Sequence, residues 1–226
     1  MIGRFIDMFL HLDVSLGAAI HHYGHWVYLL LFLIIFCETG LVVTPFLPGD
    51  SLLFAAGMFS AARLAGGGTA LDIKILFPLL CAAAVTGNML NYQIGYFAGP
   101  KVFHSKKVRL LNRKHLEETH SFFQKYGPIT LVIARFLPII RTFAPFLAGV
   151  GRMGYMLFSI YNAAGCLAWV SLFIFGGYFF GNIPLVRNNF TTVIMAIIVI
   201  SVLPSIIAFL RGKAKQKQKQ KKETQI

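Results

Sequence analysis

Apolar residues recur along the chain in stretches of about 20, the length an α-helix needs to cross a bilayer, and their interruptions sort them into two kinds. Residues 26–44, 75–99, 155–181 and 190–210 read as four transmembrane helices. The first carries Glu38, the second Asn88 and Asn91, and the fourth has Pro204 near its end. Residues 45–62 are broken by Pro45, Pro48 and Gly49, and residues 127–151 by Pro128, Pro138, Pro145, Arg135 and Arg141. On each side of such a break there is room for about ten helical residues, roughly 15 Å, which is half a bilayer core. These two stretches are therefore expected to be re-entrant hairpins. Irregular backbone at membrane depth persists only where protein or a water cavity covers it.

The remaining segments are polar. Residues 1–25 mix Arg4, Asp7 and Asp13 with apolar positions and end in His21, His22 and His25, next to Trp26 and Tyr28. This predicts an amphipathic segment at the membrane interface, with the histidines at headgroup level rather than on a metal. Residues 101–125 carry seven bases against Glu117 and Glu118, while Val108, Leu111, Phe122 and Tyr126 fall on one helical face. That pattern predicts a helix lying on a membrane surface. The tail, residues 211–226, holds seven bases and one acid in a Gln-spaced low-complexity run that cannot build a core. The membrane domain is thus expected over residues 26–210.

Composition agrees with that division. Of 226 residues, 57% are hydrophobic and 13% charged, half the charge of an ordinary soluble domain, for which about 25% is typical. A soluble enzyme, a disordered chain and a disulfide scaffold are excluded. The net charge of +13 is concentrated in the 101–125 loop and the tail. It is better read as topology and headgroup attraction than as nucleic-acid binding. The positive-inside rule then puts loop and tail in the cytoplasm, and four spans put the N-terminus there too. The first hairpin enters from outside and the second from the cytoplasm. Cys37, Cys81 and Cys166 lie far apart with no CxxC spacing and read as small apolar core residues. The N-terminus lacks the basic region and cleavage site of a removable signal peptide.

Two segments echo each other. Phe46-Leu47-Pro48-Gly49-Asp50 leads to Gly57 and then to Gly95-Tyr96-Phe97-Ala98-Gly99; Phe136-Leu137-Pro138 leads through Arg141 to Gly149 and then to Gly177-Tyr178-Phe179-Phe180-Gly181. Each unit is a hairpin followed by a span, and the two enter from opposite sides. The fold class expected is an all-α polytopic membrane protein built as an inverted repeat, the architecture of secondary transporters.

Glu38, Asp50, Arg135 and Arg141 lie within the apolar stretches. A charge at the bilayer centre costs about 2.5–3.5 kcal/mol on insertion scales, so the two acids and two arginines are expected to neutralise one another. Buried pairs contribute little net stability, because desolvation offsets their attraction. A functional site is the better account. Arginine keeps its proton and presents a planar fork suited to phosphate oxygens. A carboxylate withdrawn from water holds its proton more readily. Arg135 and Arg141 for an anionic headgroup, with Glu38 and Asp50 for protons, would make a proton-coupled carrier of a phosphorylated amphiphile.

Three motifs make the sequence similar to a known family. Phe36-Cys37-Glu38-Thr39-Gly40, Phe46-Leu47-Pro48-Gly49-Asp50-Ser51-Leu52-Leu53-Phe54 and Ala134-Arg135-Phe136-Leu137-Pro138-Ile139-Ile140-Arg141-Thr142-Phe143-Ala144-Pro145 resemble the signature of the DedA family. The family is also called the SNARE-associated or VTT-domain family, and the resemblance runs from about residue 5 to residue 210. It implies a bacterial inner-membrane protein with two opposed re-entrant hairpins. It also implies a role in returning undecaprenyl phosphate, the lipid carrier of cell-wall synthesis, across the membrane, or in maintaining the proton-motive force. The family's intramembrane acids correspond to Glu38 and Asp50 and its arginines to Arg135 and Arg141. Where relatives often show Gly-Asp in the second span, this chain has Gly87-Asn88.

The leading expectation is a proton-coupled translocase of that lipid. The alternative is a proton-coupled antiporter of a small ion or solute that supports envelope and pH homeostasis. A structural organiser that binds anionic lipids through its basic surfaces would not need the four buried charges. A membrane enzyme is not expected: there is no phosphatase-like His cluster, no HExxH and no GxSxG. Neither a cofactor nor a metal is called for. The partners expected are a phosphorylated polyprenyl lipid, protons, and membrane phospholipids at the basic loop and tail, with assembly into a homo-oligomer left open.

Overall fold

A computed structural model describes residues 12–41, 49–62, 69–104, 123, 126–189, 192–193 and 195–197. Its described elements are helices, with no β-strand among them. Helix α1 (Leu12–Tyr23) and helix α2 (Trp26–Gly40) are joined at Gly24, whose φ of 52° lies in the left-handed region that glycine enters without strain. Leu16 on α1 is buried, whereas His21, His22 and His25 are exposed. Among the described residues no group of three His, Cys, Asp or Glu gathers as metal ligands would.

On α2 the buried residues Val27, Leu31, Ile35, Glu38 and Thr39 follow helical spacing and form one inward face. Leu29, Leu30 and Leu33 are exposed. The helix stops at Gly40, with Leu41 extended, four residues short of the 26–44 span expected from the sequence. Its 15 residues rise about 22 Å. The break at Pro45 and Pro48 lies outside the described residues. Helix α3 (Gly49–Ala61) is the second arm of that broken stretch and is buried along most of its length.

Asp72 begins the longest helix, α4 (Ile73–His104). Its Oδ1 accepts the Lys74 backbone N–H at 2.9 Å, an N-terminal cap, and its own N–H donates to the Tyr28 hydroxyl at 2.7 Å. The apolar portion, Ile73–Ala98, is long enough to cross a membrane. The helix does not end at Gly99 but runs on to His104, so the first residues expected in the 101–125 surface helix extend α4 instead. Apart from Phe123, the rest of that segment, most of the 190–210 span and the whole tail lie outside the described residues.

The 127–151 stretch is broken, as its prolines require. A 3-10 turn (Gly127–Ile129), the single turn α5 (Thr130–Ile133) and a second 3-10 turn (Ala134–Phe136) lead to Leu137, whose φ of −121° and ψ of 100° are extended. Helix α6 (Pro138–Val150) then starts with proline in its first turn. A tight turn through Gly151 and Arg152 leads to α7 (Tyr155–Phe180), the second helix long and apolar enough to cross a membrane. The short α8 (Pro184–Asn188) follows.

The packing is reciprocal. Helix α3 lies on α7, and α6 lies on α4. At the first crossing, a Cβ on Gly57 would overlap the carbonyl oxygen of Ile174, and one on Gly177 that of Phe54. At the second, a Cβ on Gly149 would overlap the carbonyl oxygen of Tyr92, and one on Gly95 that of Phe146. In all four cases the oxygen belongs to the residue three before the partner glycine. Each broken stretch thus docks its short helix on the long helix of the other half, backbone against backbone, as small residues allow.

Candidate functional site

The four charges of the apolar stretches come from helix ends that meet. Glu38 is in the last turn of α2, Asp50 in the first turn of α3, Arg135 in the 3-10 turn before the break at Leu137, and Arg141 in the first turn of α6. Asp50 suits the positive end of its helix. Glu38 at a C-terminus and Arg141 at an N-terminus each oppose their own helix dipole, so each gains by facing the other.

Arg141 takes both acids. Its Nη1 donates to Asp50 Oδ1 at 2.8 Å, and its Nη2 donates to Glu38 Oε1. Arg141 and Glu38 are buried, with 8% and 1% of their side chains exposed, and Asp50 is 15% exposed. The expected sharing of two acids between two arginines is not what forms, and the reason is geometric. The ends of α2 and α3 converge at Gly49, where a Cβ would fall inside the Glu38 carboxylate. Both acids therefore reach the start of α6, and neither reaches the other side of the break.

Arg135 is 3% exposed and forms no ion pair among the described residues. Its Nη2 donates to Asn162 Oδ1 at 3.0 Å and to Cys166 Sγ at 2.6 Å. Its Nε and Nη1 have no acceptor among the described residues. Gly165 gives its stem room, with a Cβ there falling 3.1 Å from Arg135 Cδ and Nε. Formal charges place −1 on the cluster of Arg141, Glu38 and Asp50 and +1 on Arg135.

Neutral residues complete the site: Asn88 and Asn91 stand out in the sequence as amides within a span, whereas Asn162 and Trp169 do not. Asn91 Nδ2 donates to the carbonyls of Thr39 (3.2 Å) and Thr142 (2.9 Å), tying the end of α2 to α6. The Asn88 amide abuts Asn162 Oδ1 at 2.7 Å and faces Arg135 Nη2. Asn162 Nδ2 reaches the Val85 carbonyl at 3.2 Å. Trp169, fully buried, donates its indole N–H to Asp50 Oδ1 at 2.9 Å. An amide inside an apolar span was the available signal for Asn162. Cys166 and Trp169 gave none, because both types are ordinary core residues.

The arrangement combines a neutralising clamp with a buried cation that offers unused N–H donors.

A family model of the VTT domain matches residues 44–179. The chain is 49% identical over 213 residues to Protein DedA of Escherichia coli (strain K12), covering 94% of this chain and 95% of that protein. It is 40% identical over 190 residues to an uncharacterized membrane protein of Mycobacterium leprae (strain TN), covering 84% and 82%. It is 32% identical over 163 residues to inner membrane protein YghB of Escherichia coli (strain K12), covering 72% of each chain. No solved structure matches.

Proposed function

The chain belongs to the DedA family of VTT-domain membrane proteins, and we propose that it is a proton-coupled translocase of a phosphorylated polyprenyl lipid, undecaprenyl phosphate, in the bacterial inner membrane. Four spans, two opposed re-entrant hairpins and cytoplasmic termini are the topology this reading uses. The reciprocal glycine crossings support the inverted repeat, since Gly57 with Gly177 and Gly149 with Gly95 make the same contact at the two crossings between the halves. Two such halves around one midplane site give access from either side in turn. No covalent step is involved.

The observation that carries the reading is Arg135, a buried guanidinium that has two unpartnered donor nitrogens and no carboxylate among the described residues. Phosphate oxygens fit that fork. The arriving anion adds negative charge beside the Arg141 cluster and competes with Glu38 and Asp50 for Arg141. A carboxylate that loses its cation in a low dielectric takes up a proton. Phosphate binding and protonation therefore favour each other. An inward proton step contributes about 2.3 kcal/mol per 100 mV.

The test is transport of undecaprenyl phosphate in proteoliposomes, with and without a pH gradient. The gradient should accelerate flux, and Arg135→Lys should abolish it nearly as fully as Arg135→Ala, because an ammonium lacks the planar fork. Flux indifferent to both changes would remove the reading. Proton-driven exchange of a small cation, unaffected by the lipid, would put an antiporter in its place.

A further inference from the structure

The chain contains two tryptophans with opposite surroundings. Trp26 is 71% exposed and Trp169 is 0% exposed. Trp169 touches three of the four intramembrane charges. Its N–H donates to Asp50 Oδ1, the same oxygen that accepts Arg141 Nη1. The Arg141 guanidinium carbon lies 5.0 Å from the ring centroid and that of Arg135 lies 5.8 Å from it. Both distances are within the reach of cation–π attraction.

The fold delivers Trp169 to this place. It lies about two turns before Gly177 on α7, and Asp50 lies about two turns before Gly57 on α3. Gly57 and Gly177 are where those helices touch backbone to backbone. The crossing fixes the register that brings the indole N–H to Asp50. The ring also provides Arg135 with a π-face that partly replaces the carboxylate it lacks.

We infer that Trp169 is a positioning residue of the site. It holds Asp50 on Arg141 by its N–H and sets the placement of the two guanidiniums by its ring. It thereby determines how far the free donors of Arg135 stand from the clamped Arg141. Only the transport arm of the test below rests on the translocase reading.

Trp26→Phe leaves Trp169 as the single tryptophan, and its emission then reports on the site. On that background, Asp50→Asn, Arg141→Lys and Arg135→Lys should each shift the emission maximum, because each alters the charge or its placement against the ring. Trp169→Phe keeps a ring and removes the N–H. In a double-mutant cycle read by thermal unfolding in detergent, Trp169→Phe and Asp50→Ala should be non-additive, since the second change removes a bond already lost. Transport of undecaprenyl phosphate by Trp169→Phe should fall about tenfold, the scale of one hydrogen bond to a charged group. An emission unmoved by the three charge variants, or an additive cycle, would overturn the inference and make Trp169 a packing residue. Emission and cycle as expected, with no response to undecaprenyl phosphate in emission or flux, would uphold the positioning role and remove the lipid reading.

Discussion

Arg135 and Arg141 flank the same break in the chain, are both buried, and face the same indole ring, yet their surroundings are opposite in kind. Arg141 is held by two carboxylates and carries the charge balance of three helix ends. Arg135 is held by an amide, a thiol and a ring face, and two of its donor nitrogens find no acceptor among the described residues. Total charge is zero in either half-and-half or two-to-one pairing, so neutrality alone does not explain the choice. The difference separates two jobs that a buried cation can do. A saturated guanidinium holds backbone elements together, and an unsaturated one is available to a ligand.

The largest expected effect follows from removing each guanidinium in turn. Arg141→Ala leaves Glu38 and Asp50 buried without their cation and should destabilise the protein by about 3–5 kcal/mol. Arg135→Met removes a buried charge that has no carboxylate and should leave the unfolding midpoint unchanged or raised, while abolishing anion binding. Thermal unfolding in detergent, run beside a binding assay with a phosphate amphiphile, checks both. Equal destabilisation by the two substitutions would erase the distinction between the arginines.

Glu38→Gln sharpens the clamp side. The amide keeps the shape and an acceptor for Arg141 Nη2 but removes a charge and the capacity to exchange a proton. Stability should drop by about 1–3 kcal/mol, and the dependence of transport on pH should flatten. Flux measured from acid to alkaline pH in wild type and variant makes the comparison. An unaltered pH profile would leave Glu38 as a brace only. Gly49→Ala attacks the same clamp without touching charge. The new Cβ would occupy the place of the Glu38 carboxylate, so the carboxylate must leave its position on Arg141 or α2 and α3 must part, at about 1–3 kcal/mol for an overpacked core. Unfolding midpoints of Gly49→Ala alone and combined with Glu38→Gln should not add.

The sequence makes some of this legible and hides the rest for identifiable reasons. Helices α4 and α7 are readable because long apolar runs demand backbone self-satisfaction, and their boundaries fall close to 75–99 and 155–181 except where α4 continues past Gly99. Leu137 breaks the chain where the prolines around it require. All four charges are visible as exceptions in apolar surroundings. Their pairing is not, because it depends on how the ends of α2 and α3 converge at Gly49, a contact between residues distant in the chain. Trp169 and Cys166 are invisible for a different reason. Neutral residue types that usually fill cores leave no trace in composition when they also contact an arginine. The glycines at 57, 95, 149 and 177 stand in the echoed segments, but their reciprocal docking appears only once both halves are folded.

The smallest effect, and the most selective for the Arg135 side, is expected from Gly165→Ala. Alanine in the interior of α7 gains about 1 kcal/mol of helix propensity over glycine. Against that gain, the added Cβ would stand 3.1 Å from Arg135 Cδ and Nε and 3.2 Å from Val132 Cα, closer than relaxed packing allows. The two terms are of similar size and opposite sign, so the unfolding midpoint should move by less than about 1 kcal/mol in either direction. The stem of Arg135 must nevertheless shift by a few tenths of an ångström, carrying Nε and the guanidinium with it. The clamp on Arg141 draws its charges from α2, α3 and α6 and meets α7 at Trp169, one turn along from Gly165, so the shift reaches it only through the indole ring. Gly165→Ala should therefore weaken binding of a phosphate amphiphile several-fold while leaving stability and the pH profile near wild type. Equal loss from Gly165→Ala and Gly49→Ala in both binding and stability would mean that the two arginines respond as one rigid unit, and the division between them would not hold.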